Sequence, residues 1–219
     1  NGYSVPNPNA MSDLIENVLH KTKIDPRTIG YVEGHGTGTS LGDPIEIAGL
    51  NKVYNEYTKD KQYCAIGSVK SNIGHCEGAA GIASLTKILL QFKHKQLVPS
   101  LHSEKLNSNI PFEDSPFYVP QELQSWKRIT LEGDKNIEYP RRAALSSFGA
   151  GGSNAHFILE EYISEESEES VKNPPFIFAL SAKNELALKR MAQEYVTFLE
   201  KNTYTNSDLY SMEYTLLFG

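Results

Sequence analysis

Residues 34–44 read Gly34-His35-Gly36-Thr37-Gly38-Thr39-Ser40-Leu41-Gly42-Asp43-Pro44, and the fold turns on this stretch. Residues 29–32 before it are short, apolar and partly β-branched, which predicts a buried strand. Pro44 and the apolar-periodic residues after it predict a helix to about Tyr57, with proline in its first turn. Glycine lets the loop curve tightly and come close to a ligand. Alternate threonines point the same way in an extended segment, and a histidine beside them could move a proton or donate to developing negative charge. A lone histidine in such a loop is more often a turn residue than a catalyst, and a second histidine motif downstream changes that balance. Neither dinucleotide-binding spacing nor a Walker lysine is present, which argues against a nucleotide site.

The pattern then repeats. Residues 63–66 predict a second strand, 67–81 (GSVKSNIGHCEGAAG) form a polar, glycine-rich loop with Lys70 and His75, and a helix is expected from about residue 78 to 92. Strand, histidine loop and helix occurring twice points to a layered α/β core. Upstream, residues 10–21 carry apolar positions at helical spacing. Residues 98–142 are proline-rich and read as ordered surface loop, with a short strand at 117–119 and Trp126 packed on the core. Residues 143–148 and 155–159 read as strands joined by a tight turn at 149–154, a hairpin-like unit of the central sheet. The glutamate-rich stretch from 160 to 172 reads as a solvated linker. Residues 176–180 predict a new strand, Ser181 an N-cap, and helices follow from 184 and from about 207 to 217.

The chain has 219 residues, 39% of them hydrophobic, and a net charge of −6 from 27 acidic and 21 basic residues. That composition supports a packed core and argues against nucleic-acid binding. No apolar run reaches the roughly 20 residues of a membrane helix. The N-terminus lacks the features of a signal peptide and reads as the middle of a longer polypeptide. Two cysteines, Cys64 and Cys76, indicate neither a disulfide framework nor a zinc site, and a reducing, cytoplasmic setting fits.

Taken together, GYSVPNP (2–8), DPRTIGYVEGHGTGTSLGDPIEI (25–47), GSVKSNIGHCEGAAGIASLTKILL (67–90) and SSFGAGGSNAHFILEE (146–161) resemble, in order and spacing, the C-terminal half of a ketosynthase. This is the condensing (beta-ketoacyl synthase) domain of modular type I polyketide synthases. The composition is similar to the trans-acyltransferase assembly lines of bacilli, and PPFIFALSAKNELALKRMAQEY (174–195) resembles the start of the flanking region. The resemblance implies α/β architecture: the C-terminal half of a thiolase-fold αβαβα sandwich, followed by the start of a small αβ flanking subdomain. The implied domains are the ketosynthase half at 1–162, an acidic linker at 163–173 and the flanking start at 174–219.

The implied activity is acyl transfer by decarboxylative Claisen condensation, in which an acyl chain on a cysteine is extended by a malonyl unit on an acyl carrier protein. His35 and His75 match the catalytic histidines, and Lys70 the lysine that supports His75. Thr37 and Thr39 match the threonines that bind the 4'-phosphopantetheine arm. Phe148, Gly149 and Ala150 match the oxyanion-hole turn and acyl entrance, where the small Ala150 implies a roomy opening. Asp43, Glu46, Asn72 and Asn154 match structural positions near the site. The nucleophilic cysteine of this family belongs to the N-terminal half. Cys76 is rejected for that role and Cys64 reads as buried and inert. No metal and no directly bound cofactor is implied. The expected partners are the N-terminal half, the carrier protein and, for the complete domain, a second copy; neither nucleic acid nor membrane is expected. Gly34 departs from the alanine more usual there. Two other functions fit: a non-extending ketosynthase that only transfers acyl chains, and a structural or carrier-docking module. Intact His35 favours extension over the first, and His35, Lys70 and His75 together argue against the second.

Overall fold

The computed structural model describes residues 7–131, 133, 137–149, 151–163 and 175–218. They divide into a unit ending at Ile163 and a unit within Ser164–Gly219.

In the first unit, α1 (Pro8–Thr22) opens on Asn7, whose side chain accepts from the Asn9 and Ala10 amides, with proline in the first turn. Strand β1 (Tyr31–Glu33) starts later than the sequence suggests, because a 3-10 turn at Pro26–Thr28 precedes it. Helix α2 (Gly42–Tyr57) begins two residues ahead of Pro44, which places Asp43 at its positive end. Strand β2 (Cys64–Gly67) leads into a short helix, α3 (Lys70–Ile73), inside what the sequence presents as loop. Helix α4 (Ala80–His94) follows a 3-10 turn at Glu77–Ala79. The proline-rich segment is mostly loop but includes β3 (Gln96–Leu97), β4 (Phe117–Tyr118) and β5 (Gln124–Ser125), with β3 and β5 forming a two-stranded sheet. Trp126 is buried and stacks on Phe92, 4.9 Å between centroids. Strands β6 (Arg142–Phe148) and β7 (Asn154–Glu160) are the expected antiparallel hairpin.

The main sheet has five strands in the order β4-β2-β1-β6-β7, all parallel except β7. Its strands are apolar on both faces, as a buried parallel sheet requires. Val32, Cys64, Ile66, Phe117 and Ala144 face α1 and α2 through Ile15, Leu19, Leu50 and Val53. Tyr31, Ala65, Ala143 and Leu145 face α4 through Ile88. Neighbouring residues switch faces, the period-two geometry of a pleated strand. Each fully buried side chain such as Leu50 or Ile88 contributes about 1.5–3 kcal/mol.

Helix α4 is apolar on its other side too: Ile82, Leu89 and Leu90 are exposed, as is Phe157 on β7. At i, i+7 and i+8 the three helix residues share one face.

The second unit contains α5 (Glu185–Lys201) and α6 (Asn206–Phe218). The strand expected at 176–180 does not form. This segment has no strand partner among the described residues, and the Ile177 amide donates to the buried Glu213 carboxylate at 3.0 Å. Asn184, not Ser181, caps α5 by accepting from the Ala187 amide. Residues 164–173 of the expected acidic linker lie outside the described residues.

Candidate active site

β1, β2 and β6 are adjacent and parallel, with Tyr31 aligned to both Ala65 and Ala143. The segments leaving their C-terminal ends therefore share one edge of the sheet, where ligands gather in open α/β folds. This brings together the Gly34–Pro44 loop after β1, the segment with Lys70 and His75 after β2, and the Phe148–Gly149 turn after β6. Sequence positions far apart meet: the His35 and His75 rings lie edge to face, 5.5 Å between centroids, and Phe148 is 5.9 Å from His35.

Main-chain donors fix both imidazoles. The Phe148 amide donates to His35 Nδ1 at 3.3 Å, and the Glu77 amide donates to His75 Nδ1 at 2.9 Å. With Nδ1 accepting, a neutral imidazole carries its proton on Nε2. Burial, followed by the charges of Lys70 and His75, lowers the His35 pKa to about 4. His35 is therefore a neutral donor at physiological pH.

The His35 backbone is held from below. Glu46, buried on α2, accepts from the His35 amide at 2.6 Å and the Gly36 amide at 2.9 Å. Burial raises its pKa to about 7 despite those two bonds. Gly36 has φ +44, and a Cβ there would lie 2.7 Å from Ser68 Cβ, so only glycine lets this loop lie against the end of β2. Asp43 accepts from the Gly38 amide at 3.1 Å, and its pKa is raised by burial.

Thr37 and Thr39 are both exposed with their hydroxyls 3.4 Å apart, and Thr39 Oγ1 also accepts from the Gly42 amide at 2.9 Å. Lys70 is half-buried, with a pKa lowered by burial against the opposing pull of Glu33, Glu46 and Asp43. His75 Nδ1 accepts from the Glu77 amide. Asn72 is exposed beside Ser71. Asn154 opposes Phe148 across the β6–β7 pair, and Gly149 closes the turn by donating to the Ser153 carbonyl at 2.9 Å. Ala150 lies outside the described residues. Cys64 is fully buried, and burial pushes its thiol up; Cys76 is partly exposed. His156 is buried against Ser146 Oγ at 3.0 Å, a structural placement.

Sequence reading passed over Glu33. It is fully buried and accepts from the Val69 amide, next to Lys70, at 2.5 Å. The available signal was a carboxylate ending an otherwise apolar strand.

A cleft of about 440 Å³ opens beside this edge, lined by Gly36, Thr37 and Lys70 together with Ser100, His102 and Lys105. Among the described residues no group of three or more His, Cys, Asp or Glu is placed to hold a metal, and no helix is long and apolar enough to cross a membrane.

Residues 1–104 match the family described as beta-ketoacyl synthase, C-terminal domain, and residues 107–215 match the ketoacyl-synthetase C-terminal extension. The two matches meet inside one sheet, since β6 pairs with β1. The chain is 57% identical over 223 residues to Polyketide synthase PksL of Bacillus subtilis (strain 168) and 54% identical over 220 residues to PksM of the same organism. All of this chain is covered in each match, but only 5% of each relative. A solved ketosynthase from module 6 of the bacillaene synthase of Bacillus subtilis 168 superimposes with a TM-score of 0.73 at 45% identity, over 99% of this chain and 35% of that one. The oxazolomycin ketosynthase domain OzmH KS7 of Streptomyces albus gives 0.78 at 42%, over 99% and 37%. The chain thus spans about a third of the solved ketosynthases and about a twentieth of the curated relatives.

Proposed function

Because this chain belongs to the beta-ketoacyl synthases, as the C-terminal domain and extension of a polyketide synthase ketosynthase with thiolase-like architecture, we propose that it supplies the histidine side of a condensing site. The acyl chain is carried as a thioester on a cysteine of the N-terminal half. A malonyl thioester on a carrier protein's phosphopantetheine loses carbon dioxide, leaving an enolate. Its carbon attacks the acyl carbonyl, the tetrahedral intermediate expels the cysteine thiolate, and a β-ketoacyl carrier leaves.

The observation that carries this reading is the pair of fixed imidazoles. With each Nδ1 occupied by a main-chain amide, both Nε2–H groups are donors suited to an enolate oxygen. Donors set in place before charge develops cost no reorganisation during reaction. Neutral His35 donates without placing a full cation in the site. Thr37 and Thr39, exposed beside the cleft, suit the amides of a pantetheine arm. The Phe148–Gly149 turn lies at the same edge and holds His35 in place, its two amides donating to His35 Nδ1 and to the Ser153 carbonyl. The exposed Ile82, Leu89 and Leu90 of α4 support an N-terminal half as partner, because exposed apolar patches of this kind mark surfaces that another part of the protein covers.

Intact-protein mass spectrometry on the co-expressed halves tests the proposal. After loading with an acyl thioester, malonylated carrier protein is added to wild type and to His35→Ala. Wild type should release the β-ketoacyl carrier, and His35→Ala should acylate but extend at least a hundredfold more slowly, the scale of losing a donor to a developing oxyanion. Acylation without extension in wild type overturns condensation in favour of simple acyl transfer.

A further inference from the structure

One buried carboxylate joins the three elements that must agree for the histidines to meet. Glu33 ends β1, two residues before His35. Its Oε1 accepts from the Val69 amide at 2.5 Å, where the chain turns into α3 and on to His75. Its Oε2 accepts from the Tyr31 hydroxyl at 2.5 Å and pairs with Lys87 Nζ of α4 at 3.0 Å. Both charged side chains are enclosed, Glu33 at 0% and Lys87 at 8% exposure. Lys87 Nζ makes no hydrogen bond among the described residues and lies 5.4 Å from the Tyr31 ring centroid, so its attraction is that of charge with carboxylate and ring face. Gly67 makes room, since a Cβ there would sit 3.1 Å from the Tyr31 hydroxyl and 3.4 Å from Lys87 Nζ.

A buried ion pair is a poor device for stability alone, because desolvation of both charges offsets their attraction. It is a good device for fixing geometry. Two polar oxygens shielded from solvent hold their donors in one arrangement, and every alternative leaves a buried charge unmet. Here that arrangement sets the Lys70–His75 segment relative to His35. The Gly34 amide bond to the Gly67 carbonyl at 2.8 Å runs in parallel but reaches only the end of β2, not the turn beyond it.

We propose that Glu33 is a positioning residue of the condensing site: its carboxylate, held by Lys87 and Tyr31, fixes the segment bearing Lys70 and His75 against His35. This rests on the condensing role proposed above. It assigns Glu33 no contact with substrate.

The test compares two uncharged double variants of the complete ketosynthase, Glu33→Gln/Lys87→Met and Glu33→Leu/Lys87→Met. Neither buries an unpaired charge. They differ in whether residue 33 retains an oxygen for the Val69 amide. Positioning predicts that the Gln pair keeps kcat for extension within about threefold of wild type. The Leu pair should lose at least tenfold in kcat, with KM for the malonylated carrier and acyl loading of the cysteine unchanged. Equal kcat in the two pairs, or a loss that follows the melting temperature across both, overturns the inference. If the Leu pair does not fold, Glu33→Asp serves. It keeps the charge but withdraws the oxygens by one methylene, and unchanged kcat there overturns the inference equally. If wild type itself makes no extended product, the condensing role fails instead, and crystal structures decide the positioning. Displacement of residues 69–75 from His35 in the Leu pair (or in Glu33→Asp where the Leu pair does not fold), but not in the Gln pair, supports it; an unmoved segment overturns it.

Discussion

At the scale of single residues, buried carboxylates that accept from backbone amides shape the candidate site. Glu46 is the plainest case. Its carboxylate caps the His35 and Gly36 amides, yet burial raises its pKa from 4.5 to about 7. A raised native pKa means that the folded state binds this proton more tightly than the unfolded chain. The resulting stability is complete below pH 4.5 and declines as pH rises through about 7. The shift corresponds to roughly 3 kcal/mol. Glu46→Gln should therefore flatten the fall in thermal midpoint between pH 5 and pH 8 in the complete ketosynthase. It should also slow extension, because the His35 and Gly36 amides use different carboxylate oxygens and the glutamine NH2 would face one of these N–H donors. An unchanged pH profile of the midpoint would show that Glu46 does not titrate in this window.

At the scale of elements, the loop from β1 to α2 is set by where a Cβ can go. Gly36→Ala places a methyl 2.7 Å from Ser68 Cβ on top of a left-handed backbone. Strain and overpacking together should cost about 2–4 kcal/mol, and extension should fall at least tenfold as His35 shifts. Gly38 is also left-handed, at φ +73, but nothing lies within 4 Å of its would-be Cβ. Gly38→Ala should cost only about 1 kcal/mol. Thermal melts of the two variants make the comparison, and equal losses would refute the close-approach explanation. The same scale explains the misread at 176–180. A run of apolar, β-prone residues looks like a strand, but a strand exists only if another segment offers its ladder, and Glu213 takes the Ile177 amide instead.

At the scale of the whole chain, α4 has apolar residues on both sides: Ile88 against the sheet, and Ile82, Leu89 and Leu90 exposed, Ile82 lining one surface with Phe157 of β7. Monomers rarely leave such a patch uncovered. Expressed alone, the chain should self-associate. Leu89→Lys/Leu90→Lys should shift it towards monomer in size-exclusion chromatography while reducing co-purification with the N-terminal half at least tenfold. Improved solubility without lost co-purification would place the partner surface elsewhere.

The sequence by itself determined what is local and periodic. It revealed the repeated strand–loop–helix units, the β6–β7 hairpin, the motifs of a ketosynthase C-terminal domain, and His35 and His75 as the residues to watch. These could be read because apolar periodicity, glycine placement and motif spacing are properties of neighbouring residues. The tertiary structure alone decided which donors meet which acceptors. Parallel pairing brings the ends of β1, β2 and β6 to one edge, so the Phe148 amide reaches His35 across 113 positions. The same pairing places Glu33 under Val69. Nothing in a linear pattern encodes those contacts, because they arise only when strands distant in sequence share a ladder and exclude water from the groups between them.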